Sequence, residues 1–490
     1  MAVNKIGINT ALVSALSLVS YLNMTTVSAQ EPDVSVIKKP LVSQESLANK
    51  ESSTNKETSA NEEPSANEEP SANKKPSVNK EPSEEQNSDP KEESSIPDTS
   101  AEEENDSNID SFASKLSGNI SLETRLFQHD GAFAEQGDSS ASISFQPEYR
   151  HKWDNDHKSF TFIPFYRWDS EDEERTHGDI RQLDLIINKG DWEVQGGISK
   201  IFWGVTESQH LVDIINQTDS VDGLDGEDKL GQPLIRVSRI MDDGSLDMFV
   251  LPYFRERTFP GLEGRFRLPL VVDTDNPTYE SSDEEKHIDY ALRLNKTIDD
   301  FDVGLSYFDG TARQPTFAQG LNNGKPVLIP HYPLMNQIGL DFQYTGEAII
   351  WKLEALNRRF DNPQNKDFSA AVGGFEYTIP AITQGGGDLG LLAEYHRDSR
   401  GENGGSPFQN DLFVGARLSL NDEASSELLA GAFVDVDNGS KSFRVEGSRR
   451  IGKGLKLNIE GQLFTDIDDK DPTNVFSQDD HVQIELQKYF

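Results

Sequence analysis

The sequence predicts an all-β fold, a transmembrane antiparallel β-barrel of about eighteen strands (16–18) behind a disordered N-terminal segment. Three observations carry this. From about Asn119 onward apolar and polar residues alternate with a period of two. The connections between the alternating segments are long and short in turn. The last stretch sets Val482, Ile484, Leu486, Lys488 and Phe490 on one face and Gln483, Glu485, Gln487 and Tyr489 on the other. One such strand fits a soluble core as well as a lipid-facing wall. Repetition around a closed barrel favours lipid, and a soluble two-sheet β protein is the alternative.

Composition narrows the class. Only 34% of the 490 residues are hydrophobic, and after the first segment no run approaches the roughly 18–20 apolar residues of a spanning helix. Alternation dilutes hydrophobicity in just this way in a barrel. A formal net charge of -39 argues against nucleic acid or anionic lipid as partners, because both are repelled by an acidic surface. The absence of cysteine removes disulfides and thiolate chemistry.

In chain order, residues 1–29 carry Lys5, a short apolar stretch from Ala11 to Leu22, and small residues at Val27-Ser28-Ala29. That pattern predicts a signal peptide cut after Ala29; a retained anchor is the other reading. Residues 30–114 are rich in Glu, Ser, Asn, Lys and Pro, with hexapeptide repeats over 59–82 (SANEEP, SANEEP, SANKKP, SVNKEP). Such a tract buries too little apolar surface to offset chain entropy, and proline every six residues stiffens it. It reads as a periplasmic spacer, with cell-wall contact as a further hypothesis. The barrel takes 115–490.

Strands are expected near 119–127, 142–153, 160–168, 180–189, 191–203, 233–241, 244–254, 287–297 and 300–308. Nine more follow near 335–345, 347–358, 369–380, 388–397, 410–420, 426–436, 441–451, 454–465 and 481–490. Pro147 and Pro164 fall inside two of them, where each removes a ladder donor. Tight turns at Asp242-Asp243-Gly244, Ile298-Asp299, Thr345-Gly346 and Gly452-Lys453 mark one rim. Long stretches such as Arg255 to Lys286 and Asp309 to Pro333 mark the other. Asp437-Asn438-Gly439 is a short exception on the long side. Trp153, Trp168, Trp192 and Trp351 sit near strand ends with apolar parity, as interfacial aromatics do, while Trp203 has the opposite parity.

Signal peptide, alternation, loop asymmetry and a terminal phenylalanine together resemble the outer-membrane β-barrel proteins of Gram-negative bacteria, in the size class of porins. The resemblance implies an outer-membrane location with the spacer in the periplasm. It also implies that Leu486, Tyr489 and Phe490 belong to the strand read by the barrel-assembly machinery. Lys488 departs from that signal and is expected to snorkel at the rim. Outer-membrane lipid and lipopolysaccharide are the surroundings implied, and a homotrimer is an assembly the apolar wall would permit.

Chemistry is expected in the lumen. Parity turns Arg125, Arg150, Arg167, Arg417 and Arg444 inward, with Glu123, Glu148 and Glu446 among the acids. Arg125, Arg150 and Arg167, on three consecutive strands, suggest a cationic patch across a pore; a network of lumen salt bridges is the equal alternative. The segment Phe202 to Asp219 is apolar enough to fold inward as a constriction, or to extend a strand. Arg255 to Arg267 reads as a self-paired loop cap, or as a contact for lipopolysaccharide phosphate. Acidic runs at 219–228 and 466–471 lack calcium-loop spacing and read as solvated charge. His396 near Glu394 has no serine-nucleophile motif, so neither enzyme nor cofactor is expected. The expected function is a porin-like channel for small hydrophilic, including anionic, solutes. The alternative is a non-conducting surface or adhesin barrel acting through its long loops.

Overall fold

The computed structural model describes residues 116–490 apart from 224, 402, 403 and 405. The expected signal peptide, spacer and hexapeptide repeats lie outside the described residues.

Alternating sequence becomes a wall of strands in chain order. They are β1 (Leu116–Phe127), β2 (Ser139–Trp153), β3 (Lys158–Asp169), β4 (His177–Lys189), β5 (Trp192–Ser199), β6 (Gln232–Met241) and β7 (Gly244–Leu251). A separate three-stranded sheet is made of β8 (Thr278–Tyr279), β11 (Thr316–Asn322) and β12 (Lys325–Tyr332). The wall continues through β9 (Asp289–Ile298), β10 (Phe301–Thr311), β13 (Leu334–Thr345), β14 (Ile349–Phe360), β15 (Phe368–Ile379) and β16 (Asp388–Asp398). It ends with β17 (Asp411–Ser419), β18 (Glu427–Asp435), β19 (Lys441–Arg450), β20 (Leu455–Thr465) and β21 (His481–Tyr489). The wall is an 18-stranded sheet in which each strand pairs antiparallel with the next. β21 returns to β1 from Asn119↔Tyr489 to Phe127↔His481, so the sheet is closed. Closure leaves the wall without an open edge strand, which is what a hydrocarbon surround demands.

The period of two is realised as an inverted burial pattern. Leu122 is 55% exposed on the outside, while its neighbour Glu123 is 6% exposed in the lumen. Trp153, Trp168, Trp192 and Trp351 are exposed near the ends of their strands. Such a surface is uneconomic in water and suited to lipid.

Two expectations are corrected. The strand expected over 191–203 ends at Ser199, and the one over 244–254 ends at Leu251. Trp203 therefore sits beyond a strand, buried inside the barrel. The strands holding Pro147 and Pro164 both form, at a local cost in pairing. β2 pairs with β3 at Phe145↔Tyr166 and next at Tyr149↔Phe162. The register of β3 on β4 shifts between Ile163 and Pro164. Opposite Pro147, β1 carries Gly118 at φ +151°, where a Cβ would lie 2.5 Å from the Gln146 carbonyl oxygen. The terminal Phe490 ring packs beside that glycine and stacks on Phe145 at 6.1 Å.

Candidate functional site in the plugged lumen

The lumen is filled on one side by the segment 200–231 between β5 and β6. Its base is apolar. Trp203, Val212, Ile214 and Ile215 pack against the inward-facing Leu234, Phe249, Leu251, Ala291, Phe308 and Met335. Trp203 meets Phe249 edge to face at 5.7 Å, and the Arg293 guanidinium lies 5.1 Å over its ring.

The plug tip is held by two wall carboxylates. Glu354 on β14 accepts from Val205 N (2.7 Å), Thr206 N (3.0 Å), Thr206 Oγ1 (2.7 Å) and Val212 N (3.1 Å). Gly204, at φ +148°, lets the chain pass close to it: a Cβ there would be 2.9 Å from Glu354 Oε1. Glu394 on β16 accepts from Glu207 N (2.8 Å) and Ser208 N (2.9 Å), and from the Ser208 hydroxyl. His396 Nε2 lies 2.8 Å from Ser208 Oγ, with Nδ1 3.3 Å from Gln209 Oε1. Serine, histidine and carboxylate thus meet across 188 residues of sequence, which no local motif could disclose. Their geometry is a latch. The Glu207 and Ser208 N–H groups, which could have served an oxyanion, are occupied by Glu394.

The other end of the plug is fixed by charge. Glu123 on β1 receives Arg125 (3.0 Å), Arg167 (2.9 Å) and Arg175 (2.8 Å). Asp222 of the plug pairs with Arg167 (3.1 Å) and Arg181 (3.0 Å), and Asp219 with Arg181 (2.7 Å) and His177 (3.1 Å). The Asp219–Asp222–His177 grouping has metal-ligand chemistry, but the Arg181 guanidinium takes the cation's place there. Buried charges are tolerable because each is paired.

The expected cationic patch is therefore altered. Arg125 and Arg167 come together, but as buried members of this network. Arg150 lies apart, exposed and paired to Glu148. Parity had shown which way the side chains point but not what fills the lumen. Arg417 and Arg444 instead join wall to plug: Arg417 pairs with Glu207 at 2.5 Å, and Arg444 with Asp225 at 2.6 Å and Glu446 at 2.5 Å. In β21, Leu486 and Phe490 face outward, Tyr489 donates to Gln487 Oε1 at 2.8 Å, and Lys488 Nζ caps the Lys453 carbonyl at 3.3 Å.

The loop 255–267 is a cap, tied mainly to neighbouring loops rather than to itself. Arg265 bridges to Asp479 at 2.8 Å and donates to the His129, Gly137 and Gln478 carbonyls. Burial, with Asp480 beside it, raises the Asp479 carboxyl to about 6 against the pull of Arg265.

Burial separates two sides of the lumen. Behind the plug, inward residues such as Ser238, Asp247, Ser306, Gln337 and Glu354 are buried. On β18, β19 and β20, the inward residues are at least partly exposed, from Phe433, Ser442 and Phe464 near one rim to Glu427, Ser448 and Lys456 near the other, with Asp435 at the end of β18 the buried exception. β20 has 11 residues. At ~3.3 Å each and a tilt of about 40°, it rises roughly 28 Å, enough to cross the apolar band. A wet flank thus runs beside the plug for the depth of the wall.

A closed antiparallel barrel, apolar outside and charged inside, defines a transmembrane β-barrel of the outer-membrane class. No protein-family model matches the chain, and no curated protein matches it in sequence. Solved barrels do resemble it in shape. Escherichia coli Wzi, described as a carbohydrate-binding β-barrel involved in capsule assembly, shares 10% identity, with a TM-score of 0.45 over 78% of this chain and 86% of its own. A Rh. blastica porin variant shares 12%, with 0.38 over 76% and 99%. Vibrio cholerae OmpT in its trimer form shares 10%, with 0.38 over 76% and 98%. The class rests on the barrel's own closure and burial rather than on these likenesses.

Proposed function

We propose that the protein is an outer-membrane channel for small hydrophilic solutes, with its passage along the wet flank of β17–β21 rather than down the barrel axis. The observation that carries this is the exposure of the inward residues on β18–β20, Asp435 at the rim excepted, beside a plug that buries the opposite wall. The plug narrows the lumen, and paired charges keep what remains polar.

Charge sets the expected preference. Among the at least partly exposed inward residues of β17–β21, the cations Arg417, Arg444, Arg450 and Lys456 match the acids Glu427, Glu446, Glu460 and Glu485 in number, while the inward Asp411 and Asp435 are buried. The plug adds Glu207, Asp225, Glu227 and Asp228 against Lys200, since Lys229 is tied to Asp213 at 3.1 Å. The passage is therefore net acidic and favours cations over anions.

Planar-bilayer recording on the purified barrel tests the reading. Stepwise currents with a reversal potential on the cation side support it; a folded barrel that never conducts refutes it. In that case the surface-barrel reading gains, and it has a structural feature of its own: the β11–β12 hairpin exposes Phe317 and Leu321. β21 presents Leu486 and Phe490 outward, where the assembly machinery would read them.

A further inference from the structure

A second feature of the lumen is a polar cavity of about 250 Å³ between the plug and the β1–β4 wall. β21 forms its boundary on the side of the wet flank, so access to it rests on the passage proposed above. Its volume corresponds to about eight waters at ~30 Å³ each. That suits one solute of amino-acid or monosaccharide size and falls below the usual range of larger ligand pockets.

The lining decides between those two. Most charges around it are engaged: Arg167 and Arg181 by Glu123, Asp219 and Asp222, and Glu485 by hydrogen bonds from Ser121, Asn458 and Gln487. Lys200 and Asp228 also line it, and among the described residues neither side chain has an ion pair or a hydrogen bond. Asn119, Ser144 and Gln146 add neutral donors and acceptors. A sugar would leave the ammonium and the carboxylate without an ionic partner in contact. It would also find no stacking platform, because the Arg181 guanidinium lies 4.2 Å over the Phe165 ring, the aromatic of the cavity. A small zwitterion compensates both charges with its own carboxylate and ammonium and leaves the amides for its polar remainder.

We propose that this cavity is a binding site for small zwitterions of the α-amino-acid or dipeptide class, with Lys200 receiving the carboxylate and Asp228 the ammonium. The site is a selectivity station beside the passage, distinct from the plug anchors at Glu123, Glu354 and Glu394.

Equilibrium dialysis of the full-length barrel in detergent with labelled alanine tests it, with propionate, ethylamine and glucose as competitors. Alanine is expected to bind about tenfold more tightly than either single-charge analogue, with glucose not competing. Lys200→Gln should weaken alanine about tenfold, to the level of ethylamine, and Asp228→Asn should weaken it to the level of propionate. Both side chains face solvent-filled space and hold nothing in place, so heat-modifiability of the two variants should match the parent. Alanine binding no tighter than its analogues, or unchanged in both variants, overturns the site. Single-channel recording separates this from the passage itself. Binding without current steps leaves the site standing and removes the passage, whereas current steps without alanine preference do the reverse.

Discussion

Replacing Glu354 by alanine should loosen the plug tip without ejecting the plug. The carboxylate accepts four hydrogen bonds from Val205, Thr206 and Val212. Hydrogen bonds to a charged group contribute about 1.5–3 kcal/mol each, but released donors in a wet lumen turn to water, so the sum overstates the loss. A net cost of about 3–5 kcal/mol is the expectation for removing one partner from a buried polar cluster. Against it stand Trp203, Val212, Ile214 and Ile215, each buried for roughly 1.5–3 kcal/mol, or about 6–12 kcal/mol together. The apolar base therefore outweighs the lost anchor, and only the tip at 204–211 is loosened, with Glu394 still holding Glu207 and Ser208. The expected outcome is larger and noisier single-channel current in Glu354→Ala, larger still in the double variant with Glu394→Ala, with the barrel heat-modifiable throughout. Unchanged conductance and noise in both variants would refute the reasoning, because tip and passage would then be uncoupled.

Other expectations follow from the same geometry. Glu123→Gln leaves Arg125, Arg167 and Arg175 facing one another without their shared anion, and should cost about 3–5 kcal/mol in urea unfolding. Trp203→Ala opens a cavity under Arg293 and beside Phe249 and should cost about 3–5 kcal/mol. Arg444→Gln removes the cation shared by Asp225 and Glu446; at ~1 kcal/mol for an unpaired charge at contact in water, cation-over-anion permeability should rise about fivefold, read as a reversal-potential shift. Asp479 is held at about 6 against 3.8 for an ordinary aspartate, so the native state binds its proton the more tightly. Its contribution then grows as pH falls through 6 and is lost as pH rises. Asp479→Asn should remove up to about 3 kcal/mol of that pH dependence; the same slope in both proteins would argue against the assignment.

The wall was legible because its physics is local. A period of two with an apolar face needs no knowledge of partners, so strands from Leu116 to Tyr489 could be anticipated, as could the pairing of β21 with β1. What fills the lumen is not local. Glu354 meets Val205 across 149 residues, and Glu394 meets Ser208 across 186. Trp203 looked like a strand end with the wrong parity; that parity was the sign of a residue turned inward. The hairpin of β11 and β12 lies in a stretch whose sequence resembles a loop, because Pro326 and Pro330 blur its alternation. Asn323-Gly324, both at positive φ, was the turn signal that could have found it. The arginine patch failed as a pore lining because parity fixes direction, whereas exposure depends on the distant plug.

The claim that the passage follows β17–β21 is tested most directly by thiol block, since the chain has no cysteine of its own. Ser448→Cys and Asn458→Cys lie on the wet flank, and Ser238→Cys and Ser306→Cys lie behind the plug. A charged, water-soluble thiol reagent added during single-channel recording should reduce current through the first pair and leave the second unaffected. Block at Ser238→Cys and Ser306→Cys with none at Ser448→Cys and Asn458→Cys would contradict the account.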